Sequence, residues 1–470
     1  MKKLLILSIT VALFATSCSD FLVKEPKLTQ STEITLSTFD GLNSSIAGAY
    51  SPMASSTWYG PGFVFEAEMR SGNGKKPTEG DFDSGRYSGS YNISYNPSAT
   101  SGLWGYGYFV ISAANNVLAN LEGKEGGEVS AQDISNLKAE ALFLRALSHF
   151  DMVRLYAQPY GYQPNGNGVP VVLSTDPAGK PARNTVAEVY DQIVTDLTEA
   201  ESIMSDDYKR DGISDCKAAV TKPAVQALLS RVYLYMENWN KAAEYATKVI
   251  NNPAFELWTA AEYASAWKAN VGTSEVIFEV FGAQTNAYDA YWESPMWMSS
   301  PEGYADCAVS TDLVNLYEED DVRNQWQKAD GYDHLYWTIK YAGKGVGTPD
   351  ANNTVVLRLS EMYLNRAEAI VNGASGDAVA DLNKIAAARN ATLYTSAGKE
   401  DVYNERRKEL AWEGHLWFDL SRWGKGITRV DYVGDPTNQN VAAHSYMFAL
   451  PIPKREMDVN ENLVQNEGYN

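Results

Sequence analysis

VVLRLSEMYLNRAEAIV (Val355 to Val371) and EDVYNERRKELAWEGHLWFDLSRWG (Glu400 to Gly424) decide the fold of this 470-residue chain. In the first stretch Leu359, Met362, Tyr363, Ala367 and Ile370 recur at three- and four-residue spacing, which predicts one buried helix face. Arg358, Glu361, Asn365 and Glu368 repeat at the same spacing, so a polar row runs beside the apolar one. The second stretch carries Glu405, Arg406, Arg407, Lys408 and Glu409 and turns back at Gly414, where no Cβ obstructs. Trp412, Trp417, Phe418 and Trp423 crowd the positions around it. Rings at helical spacing beside charged partners predict a packed hub with paired ions, not a catalytic centre.

Glu405 to Gly424, ERRKELAWEGHLWFDLSRWG, resembles the C-terminal hallmark of the SusD/RagB family of outer-membrane nutrient-binding lipoproteins, with Leu416 where that family more often has Arg. Further similarities are spread along the chain. WGYGYFVISAANNVLANLE resembles the family's early helix, which pairs a Trp and a Tyr with an Asn (Trp104, Tyr108, and Asn115 or Asn116) and so assigns Trp104 to the scaffold. KAEALFLRALSHFDMVRLYAQPY is similar to a second signature, VSTDLVNLYEEDDVR to the segment carrying Asp321 and Arg323. PIPKREMDVNENLVQNEGY resembles the closing motif, with Glu461 where Pro is usual.

The resemblance implies a mostly α fold of irregular tetratricopeptide-like helix pairs with loop-rich insertions and a few short strands. The periodicity agrees. Phe39, Leu42, Ile46 and Tyr50 share a helix face, residues 134–156 form a long amphipathic helix, and a further helix runs from Val186 to about Met204. Helices 223–237 and 240–251 meet at Asn238-Trp239-Asn240, with Tyr233, Ala242 and Ala246 near the small and aromatic positions of a tetratricopeptide unit. The same paired layout is expected at 134–204, 356–390 and 399–424. Stacked pairs bury a core that each alone cannot. Glu275 to Val280 alternates like a strand, and Trp326 to Lys340 predicts a short hairpin turning at Gly331.

Met1 to Ser17 has a Lys2-Lys3 n-region and an apolar run too short to span a bilayer, which predicts a signal peptide. Ala15-Thr16-Ser17-Cys18 resembles a lipoprotein processing site, after which Cys18 carries the lipid; residues 18–470 then form a single domain. Removing residues 1–17 takes two lysines and leaves 37 basic against 59 acidic residues, a net charge of −22. Such a surface disfavours nucleic acid and anionic lipid. Cys216 and Cys307 fit no metal spacing, and sequence does not place them in contact.

Catalytic signatures are absent. His149, His334, His415 and His444 are scattered, with no HExxH, nucleophile elbow or Walker loop; GKGVGTP (Gly343 to Pro349) lacks the GK-S/T ending. Asp81, Asp83 and Gly85 are spaced like a calcium loop, but Asn92 stands where Glu is required. The expectation is a non-enzyme with no metal and no cofactor.

Two stretches near 51–107 and 274–350 lie between the matched motifs and interleave rings with Gly, Ser and Asn. Sugar rings lay an apolar C–H face on an aromatic ring while their hydroxyls need polar partners, and loops on a rigid scaffold suit that task. The candidate ligand residues are Trp58, Tyr59, Arg70, Tyr91 and Tyr95 in the first stretch, with Asn73 and Asn92 nearby, and Tyr288, Tyr291, Trp292 and Trp297 in the second. A stacked ring removing roughly 50 Å² of apolar surface is worth on the order of 1.2 kcal/mol. Three such rings give a Kd of about 1 mM before polar contacts, suited to capture and release. The resemblance implies a lipid-anchored, surface-exposed protein of the outer membrane that delivers oligosaccharide to a SusC-like TonB-dependent transporter. The alternative is peptide capture of the RagB kind; a glycan-degrading enzyme conflicts with the missing motifs.

Overall fold

The computed structural model describes residues 32–98, 102–213, 216–269, 272–282, 295–343 and 352–469. The predicted signal peptide, Cys18, Tyr288, Tyr291, Trp292 and nearly all of the 343–349 glycine stretch lie outside these.

Helices dominate. Phe39–Tyr50 starts at Thr38, whose hydroxyl accepts the Gly41 N–H. Ala131–Tyr156 and Val186–Ile203 each start with a capping box, Ser130 with Asp133 and Thr185 with Glu188. These two pack together, and Gly102–Asn120 lies on the first. Arg145 ties all three: Nε and Nη2 meet the Asp196 carboxylate at 2.8 and 2.7 Å, and Nη1 donates to Asn115 at 2.8 Å. Asn115, of the two asparagines the resemblance left open, is thus the scaffold residue, and Trp104 packs edge-on against Tyr156.

The hairpin at Asn238 forms as expected, from Lys222–Tyr235 and Trp239–Ile250. Leu359–Val371 packs on the second of these and then on Ala378–Ala388 and Lys399–Leu410. The predicted pair at 399–424 is different. The helix ends at Leu410, Trp412 and Gly414 take left-handed φ of 65° and 78°, and Leu416–Arg422 packs on Pro61–Ser71. A Cβ on Gly414 would stand 3.1 Å from Val64 Cα, so backbone approach adds to the turn's demand for glycine.

Two further expectations are corrected. Val355 to Arg358 is strand, not helix: Thr354–Arg358 pairs antiparallel with Val276–Val280. The β-branched Thr354, Val355 and Val356 favour that pairing. Every residue of Val276–Val280 is buried, and Lys222–Tyr235 packs against the strand. The glycine- and ring-rich stretch after Ser51 also contains a buried helix, Pro61–Ser71, with Pro at its first turn and left-handed Gly72 after its end. The hairpin Trp326–Gln327/Trp337–Thr338 forms, with Gly331 at a φ of 83°.

The polar row is wholly internal. Glu361 pairs with Arg231, Asn365 accepts from Arg406, and Glu368 takes Arg422 and the Trp423 indole. Arg358 reaches Glu275, Glu409 and Glu413 at 2.6–2.7 Å. Glu409 also meets Arg389 and Arg323, the latter held by Asp321. Burial alone would raise the Glu409 carboxyl; Arg389, Arg358 and Arg323 outweigh it and hold it well below the usual range. The rings of the hub anchor different segments: Trp412 meets Phe65 edge-on, Phe418 stacks on Phe63, and Trp417 packs at a tilt against Phe448.

Candidate functional site

The two ring-rich stretches meet at one carboxylate. Asp306, buried, accepts the backbone N–H of Ser84 at 2.6 Å, the Ser84 hydroxyl at 2.9 Å and Arg86 Nη1 at 2.9 Å. Ser84 and Arg86 come from the first stretch, Asp306 from the second. Phe82 reinforces the junction by packing edge-on against Tyr332 and Trp337.

Over this anchor stands a partly open wall. The Arg86 side chain keeps 42 % of its surface in solvent and holds its guanidinium 4.5 Å from the Tyr304 ring centroid. Tyr304 lies 5.7 Å from Trp297, both partly buried, and its backbone N–H donates to the Trp297 carbonyl at 2.8 Å. A flat cation, a phenol ring and an indole thus share one rim, fixed from below by a buried carboxylate. Partly exposed rings beside a guanidinium are the groups that meet the C–H edges and hydroxyls of a sugar.

Of the residues singled out in sequence, Trp297 is in this wall. Trp58 and Tyr59 are not: they are 0 % and 4 % exposed and donate to Asp151 at 2.8 and 2.7 Å. A ring whose polar tip is committed to a buried carboxylate and whose faces are packed presents nothing to a ligand. Tyr91 is likewise interior; it stacks on Tyr432 at 4.9 Å and accepts the Val433 N–H. Arg70 is buried, pairs with Glu66, and lies over Tyr95 and Trp417 at 5.0 and 5.7 Å. Tyr95 is half-buried with its hydroxyl shielded, and burial pushes that hydroxyl upward. Asn73 is buried between Glu68 and Arg407, and Asn92 accepts from Tyr432. The structure therefore joins Arg70 with Tyr95 and Trp58 with Tyr59, but as scaffold.

Arg86, Tyr304 and Asp306 were missed in sequence. Arg86 and Tyr304 are polar or aromatic members of the right stretches, but nothing local links Arg86 to Asp306, 220 positions away. Asp83 pairs with Lys76 at 2.8 Å and accepts the Gly85 N–H, so its carboxylate serves the loop itself. Among the described residues no group of three or more His, Cys, Asp or Glu is placed to hold a metal. Cys307 is buried and free, and burial raises its thiol; the side chain of Cys216 lies outside the described residues. No described helix is long and apolar enough to cross a membrane.

Comparison with known proteins follows the same outline. Residues 20–234 match a family described as "Starch-binding associating with outer membrane", and residues 336–469 match the "SusD family". The chain is 25 % identical to SusD-like protein P2 of Formosa agariphila, over the full length of both. It is similar to two solved structures, each at a TM-score of 0.81. One is a putative sugar binding protein from Bacteroides vulgatus, 30 % identical, covering 92 % of this chain and 99 % of that one. The other is a SusD superfamily protein from Bacteroides thetaiotaomicron, 29 % identical, covering 91 % and 99 %.

Proposed function

Because the chain belongs to the SusD/RagB family, we propose that it is a non-enzymatic glycan-binding protein of the outer membrane, anchored at the cell surface through Cys18. It captures oligosaccharide and passes it to a SusC-like TonB-dependent transporter. The outer-membrane starch-binding description of the matching family, and the similarity to a putative sugar binding protein from Bacteroides vulgatus, support glycan as the ligand class. The observation that carries the reading is the Arg86–Tyr304–Trp297 wall, in which two partly exposed rings and a partly exposed guanidinium share a rim tied down by Asp306. Tyr288, Tyr291 and Trp292 precede Trp297 in the sequence, and we propose them as further ligand-binding residues.

Hand-over requires weak, rapidly reversible binding. Stacking on two rings contributes on the order of 2.5 kcal/mol, so most of the affinity must come from hydroxyl contacts and chain length. Calorimetric titration of the wild-type and Tyr304→Ala chains with malto- and laminari-oligosaccharides tests the proposal. Loss of about tenfold in affinity without loss of melting temperature is the expected result.

A further inference from the structure

The hairpin Trp326–Gln327/Trp337–Thr338 has two faces. Side chains alternate along each strand, so Gln327 and Trp337 point to one side, and Trp326, Tyr336 and Thr338 to the other. The first side is the one already described: Gln327 meets Ser299 and Ser300, and Trp337 donates to the Ala305 carbonyl. The second side opens on a cleft of about 550 Å³, lined by Val314, Asn324, Gln325, Trp326, Lys328, Tyr336 and Ile339. That volume falls within the roughly 300–1,000 Å³ of small-ligand sites.

Its chemistry is mixed. Trp326 and Tyr336, both partly exposed, stand edge-to-face with centroids 6.5 Å apart, so the cleft has two ring walls at an angle. Lys328, exposed, holds its ammonium 5.2 Å from the Tyr336 centroid. The Trp326 indole N–H donates to Asn324 at 2.9 Å and its ring packs on Tyr317, which fixes the wall's orientation. Gln325 donates its amide to the Val322 carbonyl at 2.9 Å, leaving the side-chain oxygen to solvent. Two ring faces with an ammonium and amide groups at their edge suit a group that is apolar on its faces and rich in hydroxyls at its rim.

Resting on the glycan-capture reading, we propose that this cleft is a second saccharide subsite, which stacks one neutral sugar ring on Trp326 and Tyr336 and reads its hydroxyls through Lys328 and Gln325. It lies across the hairpin from the Arg86–Tyr304–Trp297 wall. Two weak subsites on either side of one hairpin raise the avidity for a long glycan far above either alone, while each still releases quickly. The arrangement favours polysaccharide over short products.

The test uses the full chain carrying 5-fluorotryptophan, with the Trp326 and Trp297 ¹⁹F signals assigned from Trp326→Phe and Trp297→Phe. Maltoheptaose and laminarihexaose are the probes. The expected result is a shift of the Trp326 signal by one of them, with a midpoint that weakens 3- to 10-fold in Lys328→Glu/Gln325→Ala. Both substitutions are at exposed positions, and the Trp297 midpoint should stay unchanged. A Trp326 signal that stays still while Trp297 moves overturns the second subsite and leaves the glycan reading intact. So does a Trp326 midpoint unaffected by the double variant. If neither signal moves and neither probe gives heat on titration, the glycan reading and the subsite fall together.

Discussion

Arg231 and Glu361 lie 130 positions apart and meet inside the protein, with Nε and Nη2 of the arginine each 2.6 Å from a carboxylate oxygen. Both side chains are almost wholly shielded, at 3 % and 1 % exposure. The pair locks Lys222–Tyr235 to Leu359–Val371, and Arg231 also donates to the Val356 carbonyl of the adjoining strand.

A buried pair of this kind is costly to break and cheap to replace. Glu361→Leu should lose about 3–5 kcal/mol by stranding Arg231, and Arg231→Met/Glu361→Leu should recover most of it. Urea midpoints for the wild type, the single variant and the double variant decide this. A double variant no more stable than the single one would show that the charges, not their pairing, hold the two helices.

The rings of the chain divide by burial. Trp417 is 0 % exposed and packs on Phe448, so Trp417→Ala should cost about 3–5 kcal/mol. Trp297 keeps part of its ring in solvent, so Trp297→Ala should cost less stability than Trp417→Ala and bind glycan roughly tenfold more weakly. Melting curves and titrations on both variants check the division. It fails if Trp297→Ala unfolds or Trp417→Ala does not.

This division was only partly legible in the sequence. The three- and four-residue spacing from Arg358 to Glu368 exposed the polar row and its helix, since local periodicity is written in neighbouring residues. Its partners were not legible, because Arg231, Arg406 and Arg422 arrive from other elements and contact is a property of the fold. Trp58 and Tyr59 have loop-like neighbours, Gly60 and Pro61, which open a buried helix here instead; burial of that helix outweighs its composition. Arg86 and Tyr304 escaped for the reason Arg231 did: Asp306 joins them only in three dimensions.

His149 is the clearest pH-sensitive element of the scaffold. Its ring donates to the Arg145 carbonyl at 2.9 Å and accepts from the Val172 N–H at 3.4 Å. Burial lowers it from 6.5 to about 4. A histidine depressed on folding contributes stability that is complete above its unfolded value and is lost as pH falls from 6.5 towards 4. The wild type's advantage over His149→Gln should therefore shrink by about 2 kcal/mol between pH 7 and pH 4.5. Urea midpoints of both chains at the two pH values measure it; a gap independent of pH would mean His149 does not stay neutral inside.

The anchor has its own test. Cys18→Ala should leave the protein unlabelled by fatty acid and released from the outer membrane, as fractionation of cells grown with radiolabelled palmitate would read. Continued labelling and sedimentation with the outer membrane would show that Cys18 is not the lipidated residue.

Glycan capture at the Arg86–Tyr304–Trp297 wall is tested most directly by applying wild-type and Tyr304→Ala chains to one glycan array with a peptide panel beside it. The account predicts that the wild type is retained by a defined set of glycans and by no peptide. Tyr304→Ala, folded as judged by its melting curve, should lose about tenfold on that same set. Retention by peptides alone, or equal retention of the two chains on glycan, would contradict it.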